Sequence, residues 1–186
     1  MQPVEAFKPL GLITIAITWL ALGLLVYKSQ GDKRMSFSRH AAANKTAFTT
    51  LAIIEPFILS GFFLFIYKWF VPTFRLPALF TVLVGLSSLG LLIAAWIPDV
   101  AGWKHKVHEW TAYPAVILFI PISLIMCFVS GLPAFVRGAW IIALVYNTAC
   151  VTFFLFSKKA KEYHLYLQAP YFVLTHLAIL LTAYIR

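Results

Sequence analysis

Six stretches of this chain are apolar over roughly the ~20 residues that a helix needs to cross a hydrocarbon layer. They are residues 9–27, 46–67, 77–97, 111–129, 139–156 and 169–185. Backbone N–H and C=O groups find no water in a bilayer core, so each stretch must satisfy them internally as a helix. The pattern therefore predicts an all-α fold: an integral membrane bundle of six transmembrane helices with short loops, a single domain over residues 1–186. Composition points the same way. The chain is 62% hydrophobic and 11% charged, where a soluble domain has about a quarter of its residues charged.

The formal charge of +9 does not point to nucleic acid, because the basic residues are scattered among short loops. Lys28, Lys33, Arg34, Arg39, Lys45, Lys104, Lys106, Lys158, Lys159 and Lys161 fall on one side of the predicted bundle; Lys8, Lys68, Arg75, Arg137 and Arg186 fall on the other. The richer side is expected to be cytoplasmic and to meet anionic lipid head groups. That places both termini outside, with a bacterial inner membrane as the expected location. The basic stretch 28–34 reads as a solvated turn against those head groups. Cys127 and Cys150 both lie inside apolar runs, form no disulfide framework and read as small interior residues. The opening MQPVEAFK lacks a basic region ahead of its apolar run, so the first run is expected to be retained as a helix.

Inside the runs, small or polar residues recur at helical spacing: Gly11, Thr14, Thr18 and Ala21; Thr81, Gly85, Ser88 and Ala95; Ala139, Ala143, Asn147 and Cys150. Such faces let membrane helices approach closely. One layer near mid-membrane carries ionisable and amide groups: Glu55, Asn147 and His176, with Ser87, Ser88 and Ser123 at matching depth. A charged side chain at that depth costs about 2.5–3.5 kcal/mol on insertion scales, so it is expected to face the interior and to have a partner. Glu55 with His176 is the expected pair, and Glu55, Asn147, His176 and Ser88 form the expected ligand or proton pocket. For the serines and Asn147 taken singly, interhelical hydrogen bonding is the simpler reading.

A second group of polar residues breaks the hydrophobic pattern at 94–113, AAWIPDVAGWKHKVHEWTAY. Asp99, His105 and His108 sit there among Trp96, Trp103 and Trp110, whose rings suit a membrane–water boundary. The stretch reads as an interfacial turn and as a gate or site. With His40 and His164, which lie in loops on the same side, Asp99, His105 and His108 are competent zinc ligands. Ser36 and Ser38 would then be oxyanion donors or nucleophiles. Against this, HxxH alone is a weak signal, and Lys104, Lys106 and Arg39 would repel a cation. No lysine lies within the last run to hold retinal, and His176 is the one deep histidine, which disfavours intramembrane haem. HExxH, GxSxG, P-loop and GxGxxG signatures are absent.

The six short-looped helices, MSFSRHAAANK after the first, WIPD closing the third and HEWTAY opening the fourth resemble the Frag/DRAM/Sfk-like membrane proteins. That resemblance implies a six-helix membrane protein of unknown function, with Asp99 and His108 at its Pro-Asp and helix-opening His elements. Three expectations follow. The first is a non-enzymatic protein that binds or moves a lipid-like or small ligand through Glu55, Asn147 and His176, needing no cofactor. The second is a metal-dependent intramembrane hydrolase of the ceramidase-like type. The third is a structural subunit that packs against a second copy or a membrane partner.

Overall fold

The apolar runs form helices because, in lipid, only the helix satisfies every backbone group within one segment. The computed structural model describes residues 2–28 and 32–185, the side chains of Lys158 and Lys161 excepted. Part of the basic turn 28–34, and Arg186, thus lie outside the described residues. Among the described residues nine α-helices follow one another: α1 (Lys8–Lys28), α2 (Phe37–Ala42), α3 (Lys45–Phe65), α4 (Val71–Phe74), α5 (Ala78–Trp96), α6 (Trp103–Ile117), α7 (Phe119–Cys127), α8 (Ala134–Phe156) and α9 (His164–Tyr184). A π-helical turn, Ile66–Phe70, joins α3 to α4, and α6 runs into α7 across Leu118. Together they give six helices long and apolar enough to cross a membrane: Glu5–Lys28, Lys45–Phe74, Ala78–Trp96, Trp103–Cys127, Ala134–Phe156 and His164–Tyr184.

Consecutive spans pack against each other, and the last returns to the first: α1 on α3, α3 on α5, α5 on α6 and α7, α7 on α8, α8 on α9, and α9 on α1. The result is a closed ring of antiparallel helices. Its outer faces expose large apolar side chains at mid-span, Ile53, Phe57, Leu86, Leu89, Ile142 and Val145 among them. Such a surface needs lipid as its solvent.

The spans differ from the apolar runs at their ends. The fourth begins at Trp103, so Lys104, His105, His108 and Glu109 lie on its first two turns rather than in an open turn. Gly102, at φ +94°, supplies the backbone reversal before it. The second span continues past Tyr67 through Lys68 to Phe74, and Arg75 in the left-handed region then ends it. The first loop contains α2, capped by Ser36, whose Oγ accepts the Arg39 N–H.

Prolines free backbone carbonyls inside spans, and side chains of neighbouring spans engage carbonyls at two of these places. Pro56 cannot donate to Ala52, and the Trp96 indole takes that carbonyl at 2.9 Å. Pro121 cannot donate to Ile117, which is where α6 breaks. Beside the break, Ser87 donates to the Ala115 carbonyl at 2.8 Å and Tyr171 to the Val116 carbonyl at 2.5 Å. Glycine lets α5 and α6 close: a Cβ at Gly90 would lie 2.8 Å from Ala115 Cβ and 2.9 Å from the Thr111 carbonyl oxygen. Overpacking of this kind typically costs about 1–3 kcal/mol. We therefore expect Gly90→Ala to lower the melting temperature in detergent by several degrees. Gly23→Ala, with nothing within 4 Å, should leave it unchanged or raise it. Equal melting of the two variants would contradict this packing.

Candidate functional site

The loops after the first, third and fifth spans meet at one end of the ring, and α2 is the piece that joins them. Arg39 Nε donates to Asp99 Oδ2 at 3.0 Å. The Phe37 N–H donates to Gln168 Oε1 at 3.0 Å, and the Leu165 N–H to the Lys33 carbonyl at 3.0 Å. The 33–39 segment is thereby tied to the third loop and to the start of the sixth span.

Asp99 is the hub. Its carboxylate takes Arg39 on one oxygen and His105 Nδ1, at 2.5 Å, on the other; His105 Nε2 faces Glu109 Oε1 at 3.3 Å. Burial alone pushes the Asp99 carboxyl up. The His105 hydrogen bond and the positive charge of Arg39 and the neighbouring histidines outweigh it, and the pKa ends below its ordinary 3.8. His108 is buried and directs Nδ1 at the carbonyls of Ala94, 3.0 Å, and Ile97, 2.9 Å. Carbonyls only accept, so Nδ1 donates to them.

Two cavities open behind this cluster. The smaller, about 100 Å³, is bounded by Ser36, Ser38, Arg39, Asp99, His105, His108 and His164, with apolar walls from α6, α8 and α9. The larger, about 180 Å³, lies inside the ring between α1, α3, α5, α6 and α9, beneath Phe37, Ser38 and Ala41 of α2. Glu55, Ser88 and His176 line it among mostly apolar neighbours. Ser38, His108, Ala112, Val116, Gln168 and Phe172 line both, so a thin shared wall separates mouth from interior.

Glu55 and His176 thus face one cavity, but they do not bond to each other. His176 Nδ1 accepts the Trp19 indole N–H at 3.0 Å, which fixes the remaining ring proton on Nε2. Glu55 has no hydrogen-bond or ion-pair partner among the described residues. Asn147 lies elsewhere, on the α8–α9 seam. Trp140 donates to Thr182 at 2.8 Å and Asn147 to Thr175 at 3.0 Å, so residues seven apart on α8 meet residues seven apart on α9.

The histidines expected to share a metal are distributed as follows. His105 and His108 flank Asp99, His164 packs its ring 4.7 Å from Phe154, and His40 lines neither cavity. His40 is fully buried, and neither ring nitrogen has a hydrogen-bond partner among the described residues; burial pushes its pKa down, against the charge of Asp32. Among the described residues, no three His, Cys, Asp or Glu side chains gather closely enough to hold a metal ion.

The six apolar spans define the protein as a polytopic membrane protein, and its ring encloses a cavity lined mostly by apolar side chains. Comparison with known proteins gives no match to a protein-family model, a curated protein or a solved structure. The roles of Asp99 and His108 therefore rest on their own geometry.

The Asp99 hub makes a pH prediction. Its depressed pKa contributes stability that is present above the unfolded value and is lost as pH falls through the folded one. Asp99→Asn should lower stability by about 2 kcal/mol near neutral pH, the scale of a charged hydrogen bond. The difference from wild type should be flat above about pH 5 and shrink progressively as pH falls past the unfolded value of 3.8 and through the folded one. Melting curves in detergent across pH 3–7 measure it; a difference that grows as pH falls would contradict the assignment.

Proposed function

We propose that the protein binds a lipid-like or small amphiphilic molecule inside the ring, with Glu55, His176 and Ser88 at its polar end. One observation carries this reading: a carboxyl group without a protein partner among the described residues faces a cavity of about 180 Å³ walled by five of the six spans. An acid held in the membrane without compensation costs several kcal/mol and is usually functional. The volume is useful as well: an engineered apolar cavity of about 150 Å³ takes up benzene. Asn147 is left out of this pocket, because it does not line the cavity and its Nδ2 donates to Thr175 on the α8–α9 seam.

The Asp99 cluster acts in this reading as a gate. α2 covers the interior cavity, and the Arg39–Asp99 pair holds α2 down. Releasing that pair opens a route past His108 and Gln168. Entry takes place from the Lys- and Arg-rich face, which we assign to the cytoplasmic side of a bacterial inner membrane, with both termini outside. His108 and His105 position and gate in this account, and neither performs a chemical step.

The test is to fill the cavity. Ala95 lines it, and Ala95→Phe occupies much of the space. Purified wild-type protein should carry a small molecule or a selected lipid, detectable by mass spectrometry of organic extracts, and Ala95→Phe should lose it while still folding. A wild-type extract with the composition of bulk lipid, or a variant that keeps the same molecule, would sink the proposal.

A further inference from the structure

Resting on the reading of the interior cavity as a ligand site, we propose that its occupant is a lipophilic cation: a protonated amine or quaternary ammonium on an apolar body. The cavity wall contains a carboxyl group, Glu55, and neither Lys nor Arg. Several donors that would stabilise an anion are already engaged, and those left facing the cavity, His176 Nε2–H and the Ser88 hydroxyl, are neutral. Thr14 and Thr18 donate to the carbonyls of Leu10 and Thr14, at 2.6 and 2.8 Å, and His108 Nδ1 donates to backbone. An anionic head group would meet Glu55 without a countercharge. A cation would supply the partner the carboxylate lacks.

The rest of the wall suits the same ligand. Phe37, Phe48, Phe62, Phe119 and Phe172 line the cavity. Two of them, Phe62 and Phe172, sit with ring centroids 6.3 Å from that of His176. The face of an aromatic ring attracts an ammonium group, and more strongly where water is excluded. A metal ion is a poor occupant by comparison, because it demands several oxygen or nitrogen ligands, and no group of three ligating side chains is found among the described residues. An acid among phenylalanines inside a membrane is the chemistry of an organic-cation site.

The experiment compares three probes of similar size on the purified full chain in detergent at pH 7: phenethylammonium, phenethyl alcohol and phenylacetate. Isothermal titration should show the ammonium binding roughly tenfold more tightly than the alcohol, a difference of about 1.4 kcal/mol, with phenylacetate weakest. Glu55→Gln should abolish the ammonium's advantage over the alcohol. Phe172→Leu gives a second variant should Glu55→Gln fail to fold, and it should weaken the ammonium several-fold more than the alcohol. The inference is overturned if the alcohol or the anion binds as tightly as the cation. It is equally overturned if Glu55→Gln leaves the preference intact, or if Phe172→Leu weakens cation and alcohol alike. In each of those cases the cavity still binds, and the broader ligand-site reading survives. Should none of the three probes bind, that reading fails together with this one.

Discussion

The ring of helices has an interior only because its sixth span returns to its first. Trp19 on α1 reaches His176 on α9 at 3.0 Å. At the opposite end from α2, Tyr184 donates to the Lys8 carbonyl, and the Lys8 ammonium sits 5.1 Å from the ring centroids of both Trp69 and Tyr184. Trp69 in turn donates to Glu5 at 3.0 Å. These contacts close six sequential helices on themselves. With the ring closed, Glu55 faces a shared interior, where a carboxyl can be held at mid-span if something polar or charged meets it.

Polar side chains also link spans elsewhere in the bundle. The indole of Trp96 engages a carbonyl that proline leaves free, and the α8–α9 seam pairs each amide or indole with a threonine. At the mouth, Asp99 uses both oxygens and His105 both nitrogens. Other buried groups also lack a partner among the described residues, both nitrogens of His40 and the Ser123 hydroxyl among them; Glu55 differs in being an acid that faces a cavity, and that placement underlies the functional reading.

The six spans were legible because hydropathy reports contact with lipid, and most of each span's surface meets lipid. Their ends were less so. The first turns of α6 carry Lys104, His105 and Glu109, which hydropathy reads as loop although they are helical. The short α2 was also missed, although Ser36 ahead of Phe37–Ala42 is a cap signal that would have found it. Depth along a span could be read from the chain, which is why Glu55, Ser88 and His176 were grouped. Azimuth could not: Asn147 shares their depth but turns toward α9. Helix order was equally invisible, so Trp19 as the partner of His176, and Gln168 and Tyr171 as links across the ring, had no signal. Arg39 reads in the sequence as a topological charge and as one that repels a cation, yet it pairs with Asp99 from a different loop.

The central claim is that Glu55 looks into an occupied interior and is not spent on protein contacts. A density map of the protein in lipid nanodiscs, sharp enough to place side chains, tests it most directly. The account predicts non-protein density within hydrogen-bond distance of the Glu55 carboxyl, extending between Phe62 and Phe172. A Glu55 side chain turned to the lipid, or bonded to another residue with the interior closed around it, would contradict the account.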